Sequence, residues 1–172
     1  MPAPLLHFWG GCLVTPGNRR LMLRLRNRSQ FQAVMASAPV AKTEHFALHR
    51  APLSRANARS QDGRALFPVV DQAWVGVVQP KRCAKRAVTR NTLRRQIYAV
   101  AADLGENLPA DAWVVRLKAP FSRQQFISST SVALKQAARE ELGQLFSRGL
   151  ERLQQKDQAG READTGGAAH VA

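Results

Sequence analysis

The chain has 172 residues, with 26 Lys and Arg against 12 Asp and Glu, for a formal net charge of +14. That length supports one modest core, so a single domain with loose ends is expected, and the charge predicts nucleic acid or another anionic surface as partner. No stretch approaches the roughly 18 uninterrupted apolar residues of a membrane span, which argues against a membrane partner.

Residues 1–21 include apolar Leu5, Leu6, Phe8, Trp9, Cys12, Leu13 and Val14, but Arg19 and Arg20 follow them and no cation precedes them. A secretory signal has the opposite order. This segment is expected to be disordered or to lie upstream of a start at Met22, which opens a basic stretch. A short helix is predicted over residues 29–36, because Phe31, Val34 and Met35 share one helical face and Ser29 can cap it; Pro39 ends it. Residues 45–49 alternate and read as a strand. Residues 51–61, rich in Pro, Ser, Arg, Asn and Ala, read as a mobile polar loop.

Residues 73–78 form a continuous apolar run with β-branched members, the pattern of a buried strand, stopped by Pro80. A helix over residues 89–104 follows. Its Leu93, Ile97, Val100 and Leu104 recur at three- and four-residue steps on one stripe, and Gly105 closes it. Residues 112–117 give a third strand. Residues 121–150 give a long helical region with Phe126, Ile127, Val132, Leu134, Ala138, Leu142, Leu145 and Phe146 as its apolar members. From Lys156 onward the composition predicts a disordered tail. The domain is thus expected over residues 22–150, with a helix end and tail over 151–172. The order is helix, strand, strand, helix, strand, helix, an α+β arrangement of one sheet with helices packed on a face.

The most informative stretch lies between Lys81 and Arg95. It carries Lys81, Arg82, Lys85, Arg86, Arg90, Arg94 and Arg95 and no acidic residue. So dense a cluster repels itself unless a polyanion neutralises it. A solvated helix face normally interleaves Glu with Lys or Arg at i,i+4, and none does so here. Opposite the apolar stripe, Asn91, Arg94, Arg95 and Tyr98 fall together, where guanidiniums can fork onto phosphates and a phenol can stack.

Catalytic chemistry has little to stand on. Cys12 and Cys83 are far apart with no CxxC, which argues against a disulfide framework or zinc site and fits a reducing compartment. His7, His45, His49 and His170 are scattered outside any HExxH motif, and no serine sits in GxSxG. No catalytic or metal-ligating residue is assigned. Trp74 and Trp113 are expected in the core or at its edge.

Three stretches in order resemble the protein component of bacterial ribonuclease P: Arg-Asn-Arg-Ser-Gln-Phe-Gln-Ala-Val at 26–34, Val-Gly-Val-Val-Gln-Pro-Lys-Arg at 75–82, and Lys-Arg-Ala-Val-Thr-Arg-Asn-Thr-Leu-Arg-Arg at 85–95. The resemblance runs from about Leu23 to Leu145. It departs from the family pattern where Thr92 replaces an arginine after Asn91, Tyr98 another arginine, Met35 a frequent phenylalanine, and His49 a frequent cleft aromatic.

The resemblance implies an αββαβα domain with one mixed sheet and a left-handed βαβ crossover. It implies the protein subunit of an RNA-based endoribonuclease that removes the 5′ leader of precursor tRNA, with the catalytic site and most of the required Mg²⁺ held by RNA. Its implied partners are the catalytic RNA subunit and precursor tRNA, with no obligatory protein partner, in the cytoplasm. Lys81, Arg82, Lys85, Arg86, Arg90, Asn91, Arg94 and Arg95 would bind RNA, and Phe31, Phe46 and His49 would border the leader cleft. The alternative reading is a non-catalytic RNA-binding structural protein, such as a basic ribosomal protein. A helix-turn-helix regulator fits poorly, since the basic helix lies between strands.

Overall fold

A computed structural model describes residues 22–54, 65–122, 126, 128 and 131–165. Its elements are β1 (Leu23–Arg24), α1 (Arg28–Met35), β2 (Ala41–Lys42), β3 (Phe46–Ala51), β4 (Trp74–Val78), α2 (Ala87–Leu104), β5 (Ala112–Leu117) and α3 (Val132–Thr165). The strands form one sheet in the order β1-β4-β5-β3-β2. It is mixed: β4 is parallel to β1 and β5, whereas β3 is antiparallel to β5 and β2. The expected α+β order is present, with two-residue strands added at both edges.

Successive strand residues point to opposite faces, and β5 shows the consequence. Trp113, Val115 and Leu117 join Phe46, Leu48 and Val75 in one core with Leu93 and Ile97 of α2 and Leu134, Leu142 and Leu145 of α3. Ala112 and Val114 face the other way, toward Trp74, Leu25, Phe67 and Val34 of α1. Helices therefore cover both faces, which corrects the one-sided packing expected from sequence. A central strand covered on both sides reads as a continuous apolar run for this reason. The two indoles are buried on opposite faces, and each donates to a nearby carbonyl: Trp74 Nε1 to Val69 O at 2.7 Å and Trp113 Nε1 to Pro109 O at 3.1 Å.

Helix α1 starts at Arg28, with Asn27 rather than Ser29 as N-cap. The Gln30 side chain reaches back to this end: its Oε1 accepts from Arg26 N–H at 2.9 Å and Asn27 N–H at 3.1 Å. Its Nε2 donates to Leu66 O at 2.9 Å, so one amide satisfies two donors that the helix start leaves open. Helix α2 starts at Ala87 and ends at Gly105, whose φ of 51° is the left-handed conformation that glycine adopts without penalty.

Helix α3 departs most from expectation. It begins at Val132, not near residue 121, and runs 34 residues to Thr165 through the segment read as a tail. Among the residues whose burial is described, Leu153 is its last buried one; positions 154–159 are exposed, and good helix formers continue it there. Val132, expected in the core, is 77% exposed. Before α3, Phe121 lies outside any helix and is engaged by tertiary contacts, stacked on the His45 ring at 4.0 Å. Residues 1–21, Ile127 and most of the expected 51–61 loop lie outside the described residues; Ala51 itself belongs to β3.

Candidate nucleic-acid interface

The basic stretch folds as a turn running into α2. Cys83 N–H donates to Pro80 O at 2.9 Å and Ala84 N–H to the same carbonyl at 3.2 Å. The small side chains of Cys83 and Ala84 are buried, and their anchoring leaves Lys81, Arg82, Lys85 and Arg86 exposed on either side. On the helix, Leu93 and Ile97 enter the core while Asn91, Arg94 and Arg95 are exposed. The structure thus brings seven of the eight expected RNA-binding residues to the surface as one basic band. Among the described residues no carboxylate pairs with any of these cations; the ion pairs His45–Glu141 and Arg50–Asp111 lie elsewhere.

Arg90 is the eighth, and it is placed differently. It is half-buried, and its Nη1 donates to Ala84 O and Lys85 O, both at 2.8 Å. It ties the turn to the helix. Tyr98 is likewise no free stacking platform, because it is half-buried against the core with the Arg24 guanidinium 4.3 Å above its ring. Burial pushes its phenol pKa above the ordinary 10.0, opposed by the positive charges of Arg24 and Arg94. Arg24 thereby joins the basic surface, and sequence reasoning missed it. The signal was the Leu-Arg-Leu-Arg alternation from Leu23, which sends Leu23 and Leu25 to the α1 face and Arg24 to the α2 side.

On the α1 face, half-buried Phe31 rests directly on β4. A Cβ built on Gly76 would lie 2.5 Å from the Phe31 ring and 2.6 Å from Leu25 Cδ1, so only glycine admits the ring this close. His49 is on the same face, 7% exposed, with Nδ1 3.1 Å from Ser37 O just beyond α1. Phe46 is not there. It is fully buried among Leu48, Val115 and Leu117 on the opposite face, which corrects its assignment to the cleft. The period of two excluded it in advance, because positions 46 and 49 on one strand cannot share a face. Arg116, which sequence reasoning passed over, stands on the α1 face by parity with Ala112 and Val114. Its Nε is buried with no partner among the described residues.

Among the described residues no group of three or more His, Cys, Asp or Glu could hold a metal ion, and no helix is long and apolar enough to cross a membrane. Cys83 is a free thiol.

The model of the Ribonuclease P family matches residues 21–145. The chain is 35% identical over 123 residues to the ribonuclease P protein component of Ralstonia pickettii, covering 72% of this chain and 76% of that protein. It is 34% identical over 125 residues to the corresponding component of Bordetella parapertussis, covering 73% and 89%. Among solved structures, the Staphylococcus aureus RNase P protein shares the fold with a TM-score of 0.50 at 14% identity, over 72% of this chain and 92% of that one. The matched span holds the sheet, α1 and the whole basic band, and the chain belongs to the ribonuclease P protein family, the protein component of a ribonucleoprotein endoribonuclease with a partner RNA subunit.

Proposed function

We propose that the exposed band of Lys81, Arg82, Lys85, Arg86, Asn91, Arg94 and Arg95 docks the RNA subunit, with Arg90 holding the band's two halves together. The observation that carries this reading is charge left uncompensated: seven of these eight residues are cations, and no carboxylate among the described residues pairs with them. Such a surface releases counterions from a polyphosphate partner on binding. On the α1 face, Phe31 and His49 border a cleft for the single-stranded 5′ leader of precursor tRNA. A stacking surface beside the Arg116 cation suits a leader of variable sequence, because every base has a π-face and every linkage a phosphate.

In this reading the RNA hydrolyses the phosphodiester that frees the mature 5′ end, and the protein supplies charge and shape. The Mg²⁺ that the holoenzyme requires is, in this reading, bound mainly by the RNA. The place of action is the cytoplasm, where a reduced Cys83 is stable.

Reconstitution tests the proposal. Protein, RNA subunit and labelled precursor tRNA at low Mg²⁺ should together release the leader, and neither the protein nor the RNA alone should do so. Cleavage by protein freed of all RNA would place the active site in the polypeptide and overturn it.

A further inference from the structure

Between the basic turn, the start of α2, residues 120–122 and Phe126 lies a cavity of about 500 Å³, a size typical of small-ligand sites, which span roughly 300 to 1,000 Å³. Leu93, Leu134, Phe121 and Phe126 give it apolar walls. Phe121 is fixed by its stack on His45, at 4.0 Å with 7° between the planes. His45 is fixed in turn by Glu141, whose carboxylate accepts from His45 N–H at 2.6 Å and lies 2.8 Å from its Nδ1. Phe126 meets Phe121 edge-on, with centroids 5.8 Å apart. The cations lining the cavity are Arg82, Lys85 and Arg86, all exposed, so the charge sits at the rim; no acidic residue among the described residues lines it.

We propose that this cavity receives one unpaired nucleotide of the RNA subunit, its base against Phe121 and Phe126 and its phosphates on Arg82, Lys85 and Arg86. The proposal rests on the reading of the basic band as the RNA-docking surface and adds to it an uncharged contribution. A rim that served only to hold phosphates would need no apolar chamber behind it. Water in such a chamber finds few hydrogen-bond partners, whereas a base of any identity offers a face to an aromatic pair. The nucleotide must be unpaired, because only a base splayed out of a helix reaches past its own phosphates into a pocket.

Thr89, on α2, and Ser122, before α3, both line the cavity and neither is buried. Thr89→Phe and Ser122→Phe each fill part of it while keeping every cation. Affinity for the RNA subunit should fall about tenfold or more in each, the range of a lost base stack, while the slope of log affinity against log salt stays unchanged because no phosphate contact is lost. Thermal melts identify a variant that has merely unfolded, and the second variant then carries the test.

Cys83 gives an independent readout, since this free cysteine lines the cavity and is 8% exposed. In Cys12→Ser protein, bound RNA subunit should slow its modification by methyl methanethiosulfonate, whereas inorganic polyphosphate, which neutralises the rim but carries no base, should not. Equal protection by polyphosphate, or unchanged RNA affinity in both filled variants, overturns the proposal. A loss seen only with precursor tRNA present assigns the base to the substrate and also overturns it. Failure of the docking reading looks different: Lys85→Ala with Arg86→Ala would then leave both affinity and salt slope unchanged.

Discussion

Phe46 and Phe31 lie on opposite faces of the sheet and differ in what covers them. On the α2–α3 side, Phe46, Trp113 and Phe146 are sealed from solvent, and the RNA contacts proposed there lie at the outside of α2 and at the cavity walled by Phe121 and Phe126. On the α1 side, Phe31 remains half-exposed over Gly76 and shares its face with a histidine and an arginine. An aromatic side chain is thus sealed or left half-open according to the face it occupies and to what covers it. Composition alone does not separate the two.

The sharpest way to break that contrast is to truncate one aromatic on each side. Phe46→Ala should lower unfolding free energy by about 3 to 5 kcal/mol, measured by denaturant titration, and any protein that still folds should keep its preference for precursor over mature tRNA. A Phe46→Ala protein of full stability but reduced preference would return this residue to the cleft.

The outside of α2 is tested without touching the core beneath it. Replacing Arg94 and Arg95 together by Ala should flatten the plot of log RNA affinity against log salt by about 1.4 to 1.8, if each neutralises one phosphate, with an unchanged melt. Arg90→Ala should instead lower the melting temperature, because two carbonyls lose their donor at a net loss of about 0.5 to 1.5 kcal/mol per bond. An unchanged salt slope in the double variant would remove the support for α2 as the docking element.

On the α1 side, Phe31→Ala should reduce discrimination between leader-bearing and mature tRNA by about 1 to 3 kcal/mol, with a smaller stability loss than Phe46→Ala. Gly76→Ala approaches the same point from below: its methyl group meets the Phe31 ring, so overpacking should cost about 1 to 3 kcal/mol of stability and displace the platform. Binding of leader oligonucleotides that is indifferent to both changes would show that this face is not the leader site.

The smallest effect concerns Tyr98. Its phenol pKa is raised in the folded protein by burial, against the pull of Arg24 and Arg94. The neutral form is therefore favoured by folding. Its contribution is full below the unfolded value of about 10 and is lost as pH rises through the higher folded value. Tyr98→Phe should flatten the fall in stability above pH 10, and an identical alkaline profile in both proteins would contradict the shift.

Sequence carried the central elements well because each had a periodic cause. The apolar run at 112–117 is β5 residue for residue, and the Leu93–Ile97 stripe packs where the helical period places it. The edge strands β1 and β2 escaped because two residues hold too little alternation to detect. The start of α3 was misplaced because Phe121, taken as the start of the helical region, and Phe126, taken as one of its apolar members, are held by His45 and by each other. Arg90 and Tyr98 were placed on the outer surface by charge and helical angle. What decides their environment is the turn carbonyls and the Arg24 side chain, and neither is visible to a helical wheel. Phe46 is a different kind of miss, since parity along β3 was enough to exclude it from the cleft.

The two hydrogen bonds from Arg90 also bear on entropy. Each flexible side chain immobilised on binding costs about 0.5 to 1.5 kcal/mol, and an unanchored turn would add the ordering of its backbone, about 1 to 2 kcal/mol per residue. By fastening the carbonyls of Ala84 and Lys85 to the first turns of α2, Arg90 ensures that this backbone is ordered before any RNA arrives. In the proposed docking, a cation withheld from the phosphates in this way would let its neighbours meet them at lower entropic cost.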